Sequence, residues 1–401
     1  MKKRPLPALV AAATIALSTL ALAQAQDTQP KGIIVPPPQH PAPTPRLHLP
    51  LFIFIPSDNR TPSTPNGETP ASIACIYGVT APTPGCPKNG AVLPDGGTKA
   101  IAVVEYGQYS AVQSDINTFS AQWGLPNVTL TQICSPGPSC PNNAGTQWDL
   151  ETALDVQWAH AMAPHAQIII SSFTNDPLDD GAETAAANAV AAAGGGEVSN
   201  SWTYGGEDSS ELSLDSFFVK PGVVFFVSAD DAGLGAVYPS VSPNVISAGG
   251  THVARDSNGN FTGESCWSGS GGGFSQYEPV PDYQITLKAL PDPHRGTPDL
   301  AAVADPATGV AVYSSTFCNG WCTVGGTSVS SPVLAGIVNG AGSFLDSTNT
   351  ELTKAYADFG VGIGSYHKYF RDITTGSNGA PAKLGWDQCT GIGSTVNPAA
   401  Y

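Results

Sequence analysis

Short apolar runs and helical patterns take turns along most of this chain. A β-branched run at Ala100–Glu105 is followed by a helical pattern near Val112–Trp123, and a second run at Ala166–Phe173 by an alanine-rich helix near Ala182–Ala193. Further runs at Glu197–Trp202, Val223–Ala229 and Val245–Ala248 read as strands, and another helix begins near Ser328. Strand and helix in alternation predict an α/β fold whose mainly parallel central sheet is covered by helices on both faces. In such sheets the active groups lie at the carboxyl ends of the strands, which places Ser201 and Asp231 at that edge. One further stretch, WDLETALDVQWAHAMAP, sets Leu154, Val156, Trp158 and Met162 among good helix formers. A helix there brings Glu151 and Asp155 side by side on one face.

The two ends of the chain break this rhythm. Lys2-Lys3-Arg4, an apolar run from about Ala8 to Ala21 and Ala-x-Ala choices ending at Ala23 or Ala25 predict a secretory signal peptide over 1–25. The run falls short of the roughly 20 residues of a membrane span, so export to the periplasm or beyond is expected rather than anchoring. Residues 26–69 are rich in Pro, Thr and Ser and predict a linker or tail. Within that segment, the apolar island Leu49–Ile55 is suited to an edge strand or to holding the tail against the domain. The remainder, 70–401, reads as one large domain.

Composition narrows the function. The chain has 401 residues, 44 Gly, 36 Pro and only 12% charged residues, which suits a large domain with many loops. Its 16 basic and 32 acidic residues make nucleic acid an unsuitable partner, and loss of Lys2, Lys3 and Arg4 would leave 13 against 32. Such a surface repels itself less as pH falls, although acidity also serves solubility alone. Eight cysteines in an exported chain favour disulfides. Spacing suggests Cys75 with Cys86, Cys134 with Cys140 and Cys318 with Cys322, leaving Cys266 and Cys389. A Cys-ligated zinc site is the rival, but no pair has the usual two-residue spacing with a matching second pair. A monomer is expected.

The candidate chemistry rests on three stretches. Ser328 follows Gly325-Gly326-Thr327 and precedes Pro332 and an apolar helical pattern, so its neighbourhood offers unpaired helix N–H groups to an oxyanion. An ordinary helix N-cap is the bland alternative. Glu151 and Asp155 are otherwise a solvated acidic face. If buried together they oppose each other unless they share a proton, a conflict that low pH removes. The run VVFFVSADDAG then delivers paired aspartates to the end of a buried strand.

Together these stretches resemble the sedolisin family of serine-carboxyl peptidases, from about Tyr77 to the C-terminus and in family order. The family's Glu-x-x-x-Asp helix is matched by Glu151 and Asp155, its Ser-x-Gly-Asp-x-Gly strand end by Ser228–Gly233 with Asp231 as the acid, and its Ser-Gly-Thr-Ser-x-x-x-Pro motif by Gly325–Pro332 with Ser328 as nucleophile. The resemblance implies a subtilisin-like fold and peptide-bond hydrolysis in acid, with Glu151 as base, Asp155 orienting it and Asp231 donating to the oxyanion. It also implies protein or peptide substrates. YPSVSPNVISAGGT looks like the family's connecting segment, and Ser201-Trp202 like its substrate-cleft strand end. DITTG and LGWDQCTGIG resemble its calcium loop, which implies one Ca2+ held by the side chains of Asp372 and Asp387 and the carbonyls of Ile373, Lys383 and Gly385. A pair of Asx-turns is the alternative there.

Three features depart from the pattern. Only the Pro-rich segment precedes the domain where the family usually carries a long activation domain, Asp230 replaces the glycine before the acid, and Gly325 replaces the first serine of the nucleophile motif. Two rivals stand beside this reading. Gly250–Ala254 mimics the histidine motif of an ordinary subtilisin, but that histidine opens a helix ahead of the oxyanion residue, whereas VARDSNGNFTG is turn chemistry and follows Asp231. The other rival is a secreted binding or scaffold protein that kept the fold and lost the chemistry.

Overall fold

The computed structural model describes residues 53–55, 64–285, 287, 292–360 and 363–400. The expected signal peptide and most of the Pro-rich segment lie outside the described residues. In chain order the first elements are β1 (Ile53–Ile55), α1 (Pro70–Ile76), β2 (Ala100–Tyr106), α2 (Val112–Trp123), β3 (Thr131–Cys134), α3 (Gln147–Met162), β4 (Gln167–Phe173), α4 (Ala182–Ala192), β5 (Gly196–Asn200) and β6 (Val223–Ser228). They continue with β7 (Ile246–Arg255), β8 (Phe261–Cys266), β9 (Gly273–Pro279), α5 (Asp282–Ile285), β10 (His294–Thr297), β11 (Leu300–Val303), β12 (Val310–Ser314), β13 (Gly320–Gly325), α6 (Thr327–Ala341), α7 (Thr348–Gly360) and α8 (Ile363–Tyr369).

The main sheet runs β11-β7-β6-β5-β2-β4-β3, every neighbouring pair parallel, with β8 added antiparallel to β7. Alternation along its strands shows how both faces are filled. Ile101, Val103, Ile168, Ile170, Val224 and Phe226 pack with α2, α3 and α6 in one core, while Ala100, Ala102, Val104, Ile169, Val198, Phe225 and Val227 pack with α4 in another. Successive side chains point to opposite faces, so a strand buried on both sides reads as a continuous apolar run. The expected mainly parallel sheet with helices on both faces is therefore the observed one.

A separate antiparallel sheet, β1-β13-β12, leads into α6, with Ile53 opposite Gly325 and Ile55 opposite Thr323. The edge-strand option for the apolar island is thus taken. The domain boundary lies earlier than residue 70. Glu68 is buried, accepts from Ser72 Oγ at 2.7 Å, pairs with Arg255 and bridges to Val310, because a buried carboxylate needs these partners. All four disulfides join the expected cysteines: Cys75–Cys86, Cys134–Cys140, Cys318–Cys322 and Cys266–Cys389. Among the described residues no helix is long and apolar enough to cross a membrane.

Candidate active site

Four carboxyl groups and one serine converge at the carboxyl ends of the parallel strands. α3 supplies two of them. Its Ala, Leu, Glu, Gln and Met content favours a helix, and Asp149 in the first turn opposes the positive end of the helix dipole. From Trp148 to Met162 every residue is buried, Glu151 and Asp155 completely so. The helix is pressed this deeply by α6, whose Gly336 lies where an added Cβ would come within 2.6 Å of the Met162 Cβ and 2.9 Å of the Ala159 carbonyl oxygen. That close crossing seats the start of α6 beside the carboxylates.

Ser328 is the second residue of α6 and is fully buried. The chain enters the helix through Gly326 at φ +125°, a backbone conformation that side chains rarely accept. Asp231, three residues past β6, caps this helix. Its Oδ1 accepts from the Thr327 backbone N–H at 2.7 Å and the Thr327 hydroxyl at 2.9 Å. Its Oδ2 is shielded from solvent and has no hydrogen-bond partner among the described residues. Burial first, and then the charge of Asp230, push the Asp231 carboxyl up to about 8, against the pull of the Thr327 donors.

The α3 carboxyls are likewise pushed toward their neutral forms. Burial is the main cause for Asp155, whose carboxyl rises to about 8 although the Ser201 hydroxyl donates to its Oδ2 at 2.8 Å. Glu151 is raised by burial and then by the charge of Asp155. Neither of its oxygens makes a hydrogen bond of ordinary geometry, yet the Ser328 and Ser201 hydroxyls stand close enough to favour its ionised form. The fourth carboxyl is Glu105, near the end of β2. It is fully buried, accepts from the Thr152 hydroxyl at 3.3 Å and is raised by burial, then by the charges of Asp155 and Glu151. The pocket accordingly holds protons well above the usual carboxylate range.

Four of the five described histidines bond elsewhere, His160 to the Pro126 carbonyl, His165 to Asp95, His252 to Asp305 and His294 to Asp292, and the fifth, His367, is exposed on α8 beside Tyr366. His252 sits on β7, ahead of a turn in which Asp256 accepts from the N–H groups of Asn258 and Asn260.

The loops that follow α8 gather two more carboxylates. Asp372 accepts from the Tyr366 hydroxyl at 3.2 Å and the Gly385 N–H at 3.1 Å. Asp387 accepts from the N–H groups of Lys383, Cys389 and Thr390 at 2.8 to 3.0 Å. Burial first, and then the charges of Asp372 and Asp387, raise the Tyr366 hydroxyl. Neither makes an ion pair with a cationic side chain among the described residues. Ile373 is buried beside Asp372. Among the described residues no group of three or more Asp, Glu, His or Cys side chains is arranged to hold a metal, so any cation here depends on backbone carbonyls. Two carboxylates without an ion pair among the described residues suit a hard cation, while the backbone N–H bonds they accept are also those of the Asx-turn alternative.

Comparison with known proteins places this geometry. Sedolisin from Pseudomonas sp. strain 101 is 27% identical over 374 residues, which cover 82% of this chain and 60% of the relative. Kumamolisin from Bacillus sp. strain MN-32 is 28% identical over 341 residues, covering 75% and 59%. The chain is thus similar to sedolisin and kumamolisin over most of its length. No family model matches it. The structure of Pseudomonas sedolisin, described as a serine-carboxyl proteinase complexed with two molecules of pseudo-iodotyrostatin, superposes with a TM-score of 0.66 at 24% identity over 83% of this chain and 96% of that one, so the fold is shared. The chain spans about 60% of the length of the two curated relatives named.

Glu151, Asp155, Asp231 and Ser328 are brought together. Ser201 and Trp202, which follow β5, are both buried. The Ser201 hydroxyl is a buried strut between Asp155 and the Ser328 carbonyl oxygen at 3.4 Å. Trp202 is fully buried, donates from Nε1 to Asn200 at 2.9 Å and packs near Tyr204 and Phe218, because the chain turns inward after β5 and its indole finds an apolar layer with one acceptor. Glu105 is the residue that sequence reading missed. Its signal was a carboxylate in the run AIAVVEY, at the end of a strand apolar on both faces.

Proposed function

We propose that this chain is an exported serine-carboxyl peptidase that hydrolyses peptide bonds in acid. The observation that carries the proposal is the convergence of a buried serine with buried carboxyl groups where a histidine would otherwise supply the base. A low-dielectric pocket bears one negative charge far more readily than several, so acid is the condition in which the others hold protons.

Ser328 Oγ attacks the substrate carbonyl carbon and its proton passes to Glu151. Asp155, carrying a proton shared with Glu105 and fixed by the Ser201 hydroxyl, orients Glu151 and limits its charge. Asp231, protonated on Oδ2, donates to the oxyanion, and the Ser328 and Thr327 end of α6 adds helix N–H groups nearby. The tetrahedral species collapses as the leaving amine takes the proton from Glu151, giving an acyl-enzyme. Water then repeats the sequence, losing its proton to Glu151 and returning one to Ser328 Oγ. An ionised Asp231 would repel the oxyanion, and loss of one such donor typically slows catalysis about 10²- to 10³-fold.

Asp372 and Asp387, with the carbonyls of Ile373, Lys383 and Gly385, would hold one Ca2+, which neutralises the paired carboxylates and ties the C-terminal loops together. Four disulfides support an oxidising destination. The test is cleavage of a denatured protein substrate from pH 2 to 8 by the wild type, Ser328→Ala and Glu151→Gln. Acid activity lost in both variants is expected. A folded wild type inactive throughout would overturn the reading in favour of a binding role.

A further inference from the structure

Asp230, the residue just before the oxyanion acid, stands in an unusual conformation. Its φ is +93°, a left-handed value that glycine takes freely and a residue with a Cβ takes only when its surroundings hold it there. Three contacts do so. Its carboxylate Oδ1 accepts from the Asp231 backbone N–H at 2.8 Å, and its carbonyl accepts from the Gly271 N–H at 2.7 Å and the Thr327 hydroxyl at 3.2 Å. Gly271 closes over it so tightly that an added Cβ there would lie 2.9 Å from the Asp230 Cβ. The strain is thus maintained at the point where β6, α6 and the 267–272 turn meet.

We infer that Asp230 is a positioning residue for the proposed reaction: its carboxylate keeps Asp231 in the protonated, donating form, while its carbonyl ties the Asp231 loop to Thr327 at the head of the nucleophile helix. This inference rests on the peptidase reading. The groups facing Asp231 define what Asp230 adds. From α6 come the Thr327 N–H and hydroxyl, which favour ionised Asp231. From α3 comes the charge of Glu151, which interacts unfavourably with that of Asp231. The 267–272 turn reaches this loop through backbone groups, Gly269 O to the Gly233 N–H and Gly271 N–H to Asp230 O, and the turn at Asn378 reaches it through its own carbonyl on the Leu234 N–H. Beyond burial, Asp230 is therefore the charge on the loop itself that opposes ionisation of Asp231. A glycine would remove the strain and the charge together.

The sign follows directly. Asp231 acts protonated, so activity holds below its titration and falls as pH rises through it. Removing the neighbouring charge brings that fall to lower pH, by roughly one pH unit for a like charge at close range in a partly exposed setting. The experiment is the pH profile of kcat/KM for the wild type, Asp230→Asn and Asp230→Gly, with carboxyl-carbon NMR titration of Asp231 in the same proteins. Asparagine keeps an acceptor for the Asp231 N–H and tolerates positive φ. Both variants are expected to lose activity at lower pH than the wild type. The Asp231 carboxyl should titrate correspondingly lower. A folded variant whose alkaline limb and Asp231 titration match the wild type overturns the inference, and if the asparagine variant fails to fold, the glycine variant decides by the same two readouts. If the wild type cleaves no peptide, the peptidase reading fails, and the NMR titration alone still decides whether Asp230 governs the proton on Asp231.

Discussion

Replacing Glu183 by glutamine should stabilise this protein at neutral pH and leave it almost unchanged in acid. Glu183 lies in the first turn of α4, far along the chain from the carboxyls of α3, and its side chain is fully buried. One oxygen accepts a long bond from Asn200 Nδ2 at 3.4 Å, and the other is shielded without a partner among the described residues. The helix N-terminus favours its charge by about 0.3–1 kcal/mol, whereas desolvating an unpaired carboxylate costs several kcal/mol, so burial wins. The carboxyl is pushed from 4.5 to about 8. Between those values the folded chain holds a proton that the unfolded chain has released. Stability is then fully present below the unfolded value and falls by about 1.4 kcal/mol per pH unit as pH rises toward the folded one. At pH 7 this one residue costs about 3 kcal/mol relative to acid. Glutamine has nearly the same shape, keeps an acceptor for Asn200 and has no proton to lose. Urea unfolding followed by circular dichroism at pH 4, 5, 6 and 7 would give the variant's advantage over the wild type at each pH. That advantage should grow by about 1.4 kcal/mol per unit above pH 5. A difference that is constant with pH, or that shrinks as pH rises, would refute the reasoning. Asp155, Asp231 and Glu351, each pushed by burial to about 8, act in the same direction, so wild-type stability should itself decline steadily toward neutrality.

Two further outcomes follow from the geometry. Glu105→Gln removes the carboxyl proposed to share a proton with Asp155, and steady-state kinetics in acid should show kcat reduced on the order of 10- to 100-fold, the equivalent of a lost hydrogen bond to a charged group; a folded variant within twofold of wild type would count against that role. Chelation should lower the thermal midpoint and added Ca2+ restore it, by about 2.7 kcal/mol of stability at a hundredfold excess over Kd, with Asp372→Asn abolishing the response; equal midpoints with chelator and with Ca2+ would remove calcium from the reading.

What was legible in the sequence was whatever burial writes as an unbroken pattern. The strands at residues 100–106, 167–173 and 223–228 are apolar on both faces and could be read directly, and α2 ends at Trp123 because Gly124 takes the left-handed cap at φ +79°. Less legible were elements that depend on partners distant in sequence. β12 and β13 are short, interrupted by a disulfide-closed turn, and exist by pairing with each other and with β1. The VAR of VARDSNGNFTG extends β7 to Arg255 because β8 and Glu68 hold it, and only 256–260 is turn. At the site, spacing brought Glu151 and Asp155 together, but Glu105 required knowledge that β2 lies beside α3. Trp202 follows a strand end, which predicts its location but not that its indole turns inward to Asn200.

The order of the strands carries a consequence for the chain while it is being made. β2, which brings Glu105, sits in the interior of the sheet beside β5, and Asp231 and Ser328 follow β6 and β13. A growing chain therefore contains the acidic part of the candidate site before the serine, and pairings between distant segments form late. Until the segment bearing Ser328 has emerged and α6 has docked on α3, a nascent molecule has carboxyls without a nucleophile. On the peptidase reading, the site is complete only once the last of these segments has folded onto the rest.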